Sequence, residues 1–374
     1  FLLDSLADLR RSLKARGGDL VIRRGTVADE VRAVVDRTDA RVVHVTRDVS
    51  RYARRREQAI AAALDGTGAE VATHPGHLLV EPGEVTPTGG DHFKVFTPYW
   101  RRWKDAHHRP PVDAPDEVRL PTIARGALPD LADLVDGAPS PDVERGGEAR
   151  GRERLDWWLD GPIADYAETR DDLADGDGTS RLSAHLHFGT LSVAEVVDRL
   201  DLRRSGHEPF LQQLCWREFN HQLLAAAPDL PRRDYRTKHD RWRDDDEAFD
   251  AWRDGRTGYP AVDAGMRQLR REGHMHNRAR MLTASFLTKH LYVDWRRGAA
   301  HFAHWLVDGD LANNWGQWQW VAGTGTDSRP NRMFNPTTQA QRYDPSGAYV
   351  RRYVEELTKV DDADLHAPCL LYTS

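Results

Sequence analysis

The sequence predicts two units of different class, an α/β domain over residues 1–105 and an all-α domain over residues 146–368. Three observations carry this. Short β-branched runs alternate with helical patterns in the first 105 residues, which implies a parallel sheet. Residues 106–145 are rich in Pro, Gly and Asp, the composition of a long connector. From Glu148 to Leu357 the pattern is helical with intervening loops.

The chain opens at Phe1 on a helical spacing of Leu2, Leu3, Leu6, Leu9 and Leu13, which reads as an internal start with a piece of the N-terminus missing. Strands are expected at 19–22, 41–45 and 69–72, separated by helices at 26–37 and 51–64. No G-x-G-x-x-G follows any of these strands, so the dinucleotide fingerprint is absent. Pro110, Pro111, Pro115, Pro129, Pro139 and Pro141 punctuate the connector. Beyond it, helices are expected at 208–227, 261–272, 274–290 and 298–307. Residues 369–374 spell Cys-Leu-Leu-Tyr-Thr-Ser, which one frame of a common sequencing-adaptor sequence would encode, so they are set aside as a non-native tail.

Bulk properties exclude several classes. No apolar run of 18 residues occurs, so a membrane span is not expected. The two cysteines are Cys215 and Cys369; with the second in the tail, no internal disulfide can form, and a reducing cytoplasm is expected. A net charge of −6 argues against non-specific coating of nucleic acid but leaves room for a local basic rim. A monomer is expected. The histidine pairs 107/108, 185/187, 274/276 and 301/304 lie in no H-E-x-x-H pattern and have no accompanying Cys pair, so no metal site is expected.

Chemistry concentrates between Asp308 and Trp320, where thirteen residues hold two Asp, two adjacent Asn and three Trp. Surface loops seldom spend Trp this way, and apolar cores seldom take Asp and Asn at this density. The mixture suits a large, flat, polar-edged aromatic cofactor. Upstream, Gly178-Thr-Ser-Arg-Leu-Ser183 combines hydroxyls, an Arg and the start of a helical pattern, the makings of an anion site, although alone it reads more simply as a capped helix. Phe210, Gln213, Arg217 and Asn220 recur at helical spacing around Trp216-Arg-Glu-Phe219. Asn277, Arg280, Met281 and Ala284 share a face of a further helix. The stretch around Arg332 and Gln339 is punctuated as loop.

Taken together these motifs resemble the photolyase/cryptochrome family, and within it the class I cyclobutane-dimer DNA photolyases, over about residues 1–368. The resemblance implies a Rossmann-like α/β antenna domain, N-terminally truncated, joined to an all-α FAD-binding domain. It implies reduced FAD (FADH−), excited by blue or near-UV light, with damaged DNA carrying a pyrimidine dimer as substrate. Tyr166, Thr179, Ser180, Arg181, Leu182, Ser183, Phe210, Arg217, Arg280, Asp308, Gly309, Asp310 and Asn314 then fall at cofactor-binding positions, with Asn314 at flavin N5. Trp318, Trp295 and Trp242 match the family's electron-hopping chain. Arg170, Gln213, Trp216, Asn277, Arg278, Met281, Trp320, Arg332 and Gln339 match positions near DNA or lesion.

The chain departs from the family pattern in places. Gln213 stands where dimer photolyases usually carry Glu, and His274 where the family usually has Trp. Asn277 favours dimer repair over the (6-4) class, and Asn314 favours repair over plant-type cryptochromes, which commonly have Asp there. An antenna pigment, 8-hydroxy-5-deazaflavin or methenyltetrahydrofolate, is implied without its identity; Ala53, where folate-binding relatives tend to carry an acid, favours a deazaflavin or no antenna. The alternatives are a cryptochrome-like blue-light photoreceptor, a (6-4) photolyase, and an α/β nucleotide-binding protein with an accessory helical domain.

Overall fold

A computed structural model describes residues 1–366, so the proposed tail and Cys369 lie outside the described residues. Strands β1 (Val42–Thr46) and β2 (Glu70–His74) pair in parallel, with Val42 opposite Glu70 and Thr46 opposite His74. Parallel pairing requires a crossover. The helix Arg51–Leu64 supplies it, started by Ser50, whose hydroxyl accepts from the Ala53 N–H. Ile60 and Leu64 of this helix bury against Val35 of the helix Val27–Thr38, with Val43 and Val71 of the sheet partly buried beside them.

The strand expected at 19–22 does not form. This stretch lies in no helix and no ladder. Its one backbone tie to the connector is Ile22 N–H to the Arg125 carbonyl at 2.7 Å, so its β-branched side chains have a chain beside them but no sheet edge. The leucine-rich opening is a helix, Leu2–Ala15, packed on the helix Glu148–Asp160.

The remainder is helical. The helix His207–Ala226 runs through the centre and buries residues on all sides, including Glu218, Asn220, His221 and Gln222. Against it packs the helix Leu311–Ala322, which also meets the helix Trp295–Trp305. Two glycines permit these close crossings. A Cβ on Gly316 would lie 2.7 Å from Asn220 Oδ1, and one on Gly298 would overlap the Trp318 ring. Pro260 opens the helix Pro260–Glu272 at a position where a missing N–H is harmless, and Gly273 closes it in the left-handed region at φ 61°. The helix expected at 274–290 begins later, as Asn277–Ser285, because His276 caps it by accepting from the Arg278 N–H. It ends in a π-turn, Phe286–His290. The helix expected at 298–307 starts three residues earlier, at Trp295, where Asp294 accepts from the Arg296 N–H.

The α/β part is locked onto the central helix by buried polar contacts. The Glu218 carboxylate accepts from the Leu79 N–H (2.6 Å), the Val80 N–H (3.1 Å) and the Trp103 indole N–H (2.6 Å). The Gln222 amide exchanges two bonds with the Phe93 backbone, at 2.9 and 2.7 Å. Trp103 lies on the helix Phe96–Lys104, which docks beside Glu218. No helix of the described residues is long and apolar enough to cross a membrane.

Candidate functional site

The helices enclose a cavity of about 530 Å³. Its walls gather segments far apart in sequence. Tyr166, Arg170 and the loop Thr179, Ser180, Arg181, Leu182 and Ser183 form one side; Phe210, Gln213, Trp216 and Arg217 come from the central helix. Asn277, Arg278, Arg280 and Met281 form another side, and Asp308, Asp310, Asn314 and Trp318 close it. Gly309, Trp295, Trp242, Trp320, Arg332 and Gln339 are not on the wall.

Charge is paired with care here. Arg280 grips Asp308 through one guanidinium nitrogen, 3.1 and 2.9 Å from the two carboxylate oxygens, and donates from Nε to the Met275 carbonyl at 2.7 Å. Burial pushes the Asp308 carboxyl up, but Arg280, His274 and a hydrogen bond from Ser183 outweigh it and hold the group below the usual carboxylate range. Asp310 caps the helix Leu311–Ala322 by accepting from the Asn313 N–H at 2.6 Å. Burial opposes its ionisation too, and His221, Arg217 and that N–H bond hold it well below the ordinary value. His274 is pushed down to about 3, first by burial and then by Arg280, and His276 to about 4 by burial, so both are neutral at pH 7. Asn314 donates its Nδ2 to the Ala299 carbonyl at 2.8 Å, which leaves the amide oxygen as its free acceptor.

The hydroxyl-rich loop is shaped from behind. Arg181 sits in the left-handed region at φ 53°, a conformation non-glycine residues rarely hold. Arg154 supports the loop by donating to the Ser180 carbonyl (2.9 Å) and the Thr179 carbonyl (3.1 Å), with its guanidinium 3.8 Å over the Trp157 ring. With the Thr179 and Ser180 carbonyls tied back, the N–H groups of Thr179, Ser180 and Arg181 and the Thr179 hydroxyl are left for an anion, while the Leu182 N–H donates to Ser180 Oγ at 3.4 Å and the Ser183 hydroxyl is taken by Asp308.

Trp318 is buried on the cavity wall, edge-on to Phe302 at 5.0 Å and to Trp252 at 6.0 Å. Trp295 is fully buried and donates its indole N–H to Asp234 at 2.9 Å. Trp242 is partly buried and packs on Tyr292 at 5.0 Å. Trp216 stacks face to face on Phe96 at 3.7 Å, and Arg332 lies 5.4 Å over the ring of the partly buried Trp320. Arg278 pairs with Asp171 at 2.7 Å and covers Tyr343. Arg217 donates to the His77 carbonyl and lies against its ring, so its polar end is turned to the α/β part as well as bordering the cavity.

Comparison with known proteins follows this geometry. The family described as the FAD binding domain of DNA photolyase matches residues 210–373, and that described as DNA photolyase matches residues 1–116. A deoxyribodipyrimidine photo-lyase of Streptomyces griseus is 55% identical over 98% of this chain and 81% of its own length. The chain belongs to the DNA photolyase family. Among solved photolyase-family structures, a bacterial class III photolyase from Agrobacterium tumefaciens superposes with a TM-score of 0.91 at 36% identity, over 98% of this chain and 79% of that one. A cryptochrome from Synechocystis sp. PCC6803 does so with a TM-score of 0.92 at 30% identity, over 99% and 80%.

The cavity fits the FAD that a photolyase-type domain carries. His274 Nδ1, His276 Nε2 and Arg278 Nε are buried polar atoms without a protein partner, all on segments lining it. Leu186, Phe302, Leu306 and Val321 give it apolar patches suited to an aromatic ring system. Several contributing residues were not singled out from sequence. Gln317 could have been found, since it follows Asn314 by three and Asn313 by four on one helix face. Arg154, Trp252 and His77 carry no local signal of this role, because the contacts by which they reach the cavity wall, to Ser180 and Thr179, to Trp318 and to Arg217, are distant in the chain.

Two expected outcomes arise here. Arg154→Met removes two charge-assisted bonds to the loop and should weaken FAD binding about tenfold or more by fluorescence titration, with the fold unchanged by circular dichroism. Trp318→Phe should slow light-driven reduction of oxidised FAD while sparing repair by enzyme reduced beforehand. Equal loss of both would assign Trp318 a packing role only.

Proposed function

We propose that this chain repairs cyclobutane pyrimidine dimers in DNA by light, as a deoxyribodipyrimidine photo-lyase. The supporting observation is convergence. The Thr179–Ser183 loop, the Arg280–Asp308 pair and Asn314 share one cavity with Gln213, Asn277 and Met281, residues of the kind that can border a flipped base. When bound, reduced FAD supplies an electron on excitation. The protein's part is to hold and orient. Arg280, Asp308 and Ser183, whose hydroxyl donates to that carboxylate, brace the cofactor side, and the N–H groups and hydroxyl of the Thr179–Arg181 stretch take phosphate. Asn314 presents an amide oxygen fixed by Ala299. Gln213 and Asn277 offer side-chain amides to the edge of the damaged bases, and Trp216 and Met281 offer apolar surface. Photolyases are among the enzymes that take their target out of the base stack, which is cheapest at a damaged, poorly paired site. Arg170, Arg278 and Arg332 position the backbone without reading sequence.

The same reading places the antenna domain at 1–105, the connector at 106–145 and the flavin domain at 146–368. It takes the chain to be a cytoplasmic monomer and leaves the antenna pigment as either of the two classes named above.

A repair assay on dimer-containing DNA, lit and dark, tests the function. Light-dependent repair is expected, and Gln213→Glu should raise it, since a charge-assisted bond to the dimer is about twice as strong as a neutral one. No repair by either protein would instead favour a photoreceptor, the role carried by cryptochromes of the same fold.

A further inference from the structure

His77, His221 and Asp310 meet where the α/β part, the central helix and the cavity wall join. Their ligand-type atoms lie within 4.8 Å of one another. His221 is 2% exposed. Its Nδ1 is 2.8 Å from the Arg217 carbonyl, which can only accept, so Nδ1 carries a proton. Its Nε2 is 3.3 Å from an oxygen of Asp310 and 3.1 Å from His77 Nε2. Facing an ionised carboxylate, Nε2 must carry a proton as well. His77 then serves as an acceptor.

We infer that His221 is a doubly protonated imidazolium that bridges the two domains, neutralises Asp310 on the cavity wall and so favours the electron-rich, reduced form of the bound flavin. Nothing in the local sequence marks it; the assignment comes from donor counting. The surroundings agree. His77 is pushed down to about 3 by burial, by Arg217 and by His221, so it is neutral and free to accept. The other charged groups near the array are Arg217, Glu218 and Asp48. A metal ion would need both Nε2 atoms unprotonated, and the Arg217 guanidinium, 2.8 Å from His77 Nε2, places a fixed positive charge beside that position.

The inference rests on the cavity holding FAD, and its tests separate the two claims. Nitrogen-15 NMR of histidine-labelled protein, as purified, should show two protonated nitrogens on His221 and a neutral His77 at pH 7. A neutral His221, or a zinc titration that binds both rings, overturns the inference whether or not flavin is present. In the FAD-loaded protein, His221→Gln should keep the flavin spectrum but lower the ratio of reduced to oxidised flavin at a fixed poise about tenfold or more, because Asp310 then faces the cofactor without its histidine partner, with Arg217 as the remaining positive charge. The double variant His221→Gln/Asp310→Asn removes both charges and should return the ratio towards wild type. An unchanged ratio in the single variant, or no recovery in the double, defeats the redox role. Absence of bound flavin from the wild-type protein would instead defeat the reading of the cavity.

Discussion

Arg280→Ala is expected to yield protein that purifies without FAD and unfolds with about 3–5 kcal/mol less stability, the usual result of removing one partner from a buried pair. Asp308 has a side chain only 4% exposed and relies on Arg280 for its strongest contact. The substitution leaves that carboxylate ionised and unpaired, or forces it to take up a proton. It also frees the Met275 carbonyl, which Arg280 satisfies now. Urea unfolding with the flavin absorbance of the purified protein checks both parts. A variant that keeps its flavin and loses less than about 1 kcal/mol would mean that the pair is dispensable. Replacing both partners by apolar residues should cost less than the single change, because no charge is then stranded.

Mild acid should destabilise the flavin-free protein through its buried histidines, and His276 gives the cleanest measure. Its ordinary value is 6.5, and burial holds it at about 4 in the folded chain. Between these values the unfolded chain binds a proton that the folded chain refuses. Stability is therefore intact above pH 6.5 and is lost as pH falls towards 4, by about 1.4 kcal/mol per pH unit for this one group. His276→Asn keeps an N-cap acceptor for the Arg278 N–H and removes the titrating ring. The slope of stability against pH should then flatten by about that amount between pH 6 and 5. Glu218 and Asp263 are pushed up by burial and act in the opposite sense, which is why the difference between variant and wild type is the quantity to measure. Parallel slopes for the two proteins would place His276 in contact with water.

What could be read from sequence was what neighbours in the chain decide. The central helix expected at 208–227 is observed as His207–Ala226, and the runs at 41–45 and 69–72 become β1, shifted by one residue at each end, and β2, which starts one residue later and ends two residues later. Asp308, Asp310 and Asn314 were legible because one short segment delivers all three to the cavity. Periodicity failed where a partner was needed. The 19–22 run has strand-like residues but no adjacent edge. The helix expected from His274 starts at Asn277 because a histidine side chain, an unusual cap, ends the preceding loop. Arg154 and His77 act on the cavity through residues 25 or more positions away, a relation that no local pattern encodes.

The central helix has one further implication. Phe210, Gln213 and Arg217 face the cavity, while Glu218 and Gln222, one turn apart from each other, are the pegs that hold the α/β part. A single rigid rod therefore carries both the ligand's socket and the seam between domains. Whatever fills the socket adds its binding free energy to the folded state of that rod. The seam's buried carboxylate cannot be exposed without disturbing the same rod. Occupancy and domain cohesion are thus two readings of one equilibrium, and a photolyase of this build tightens its whole body when it takes up its pigment.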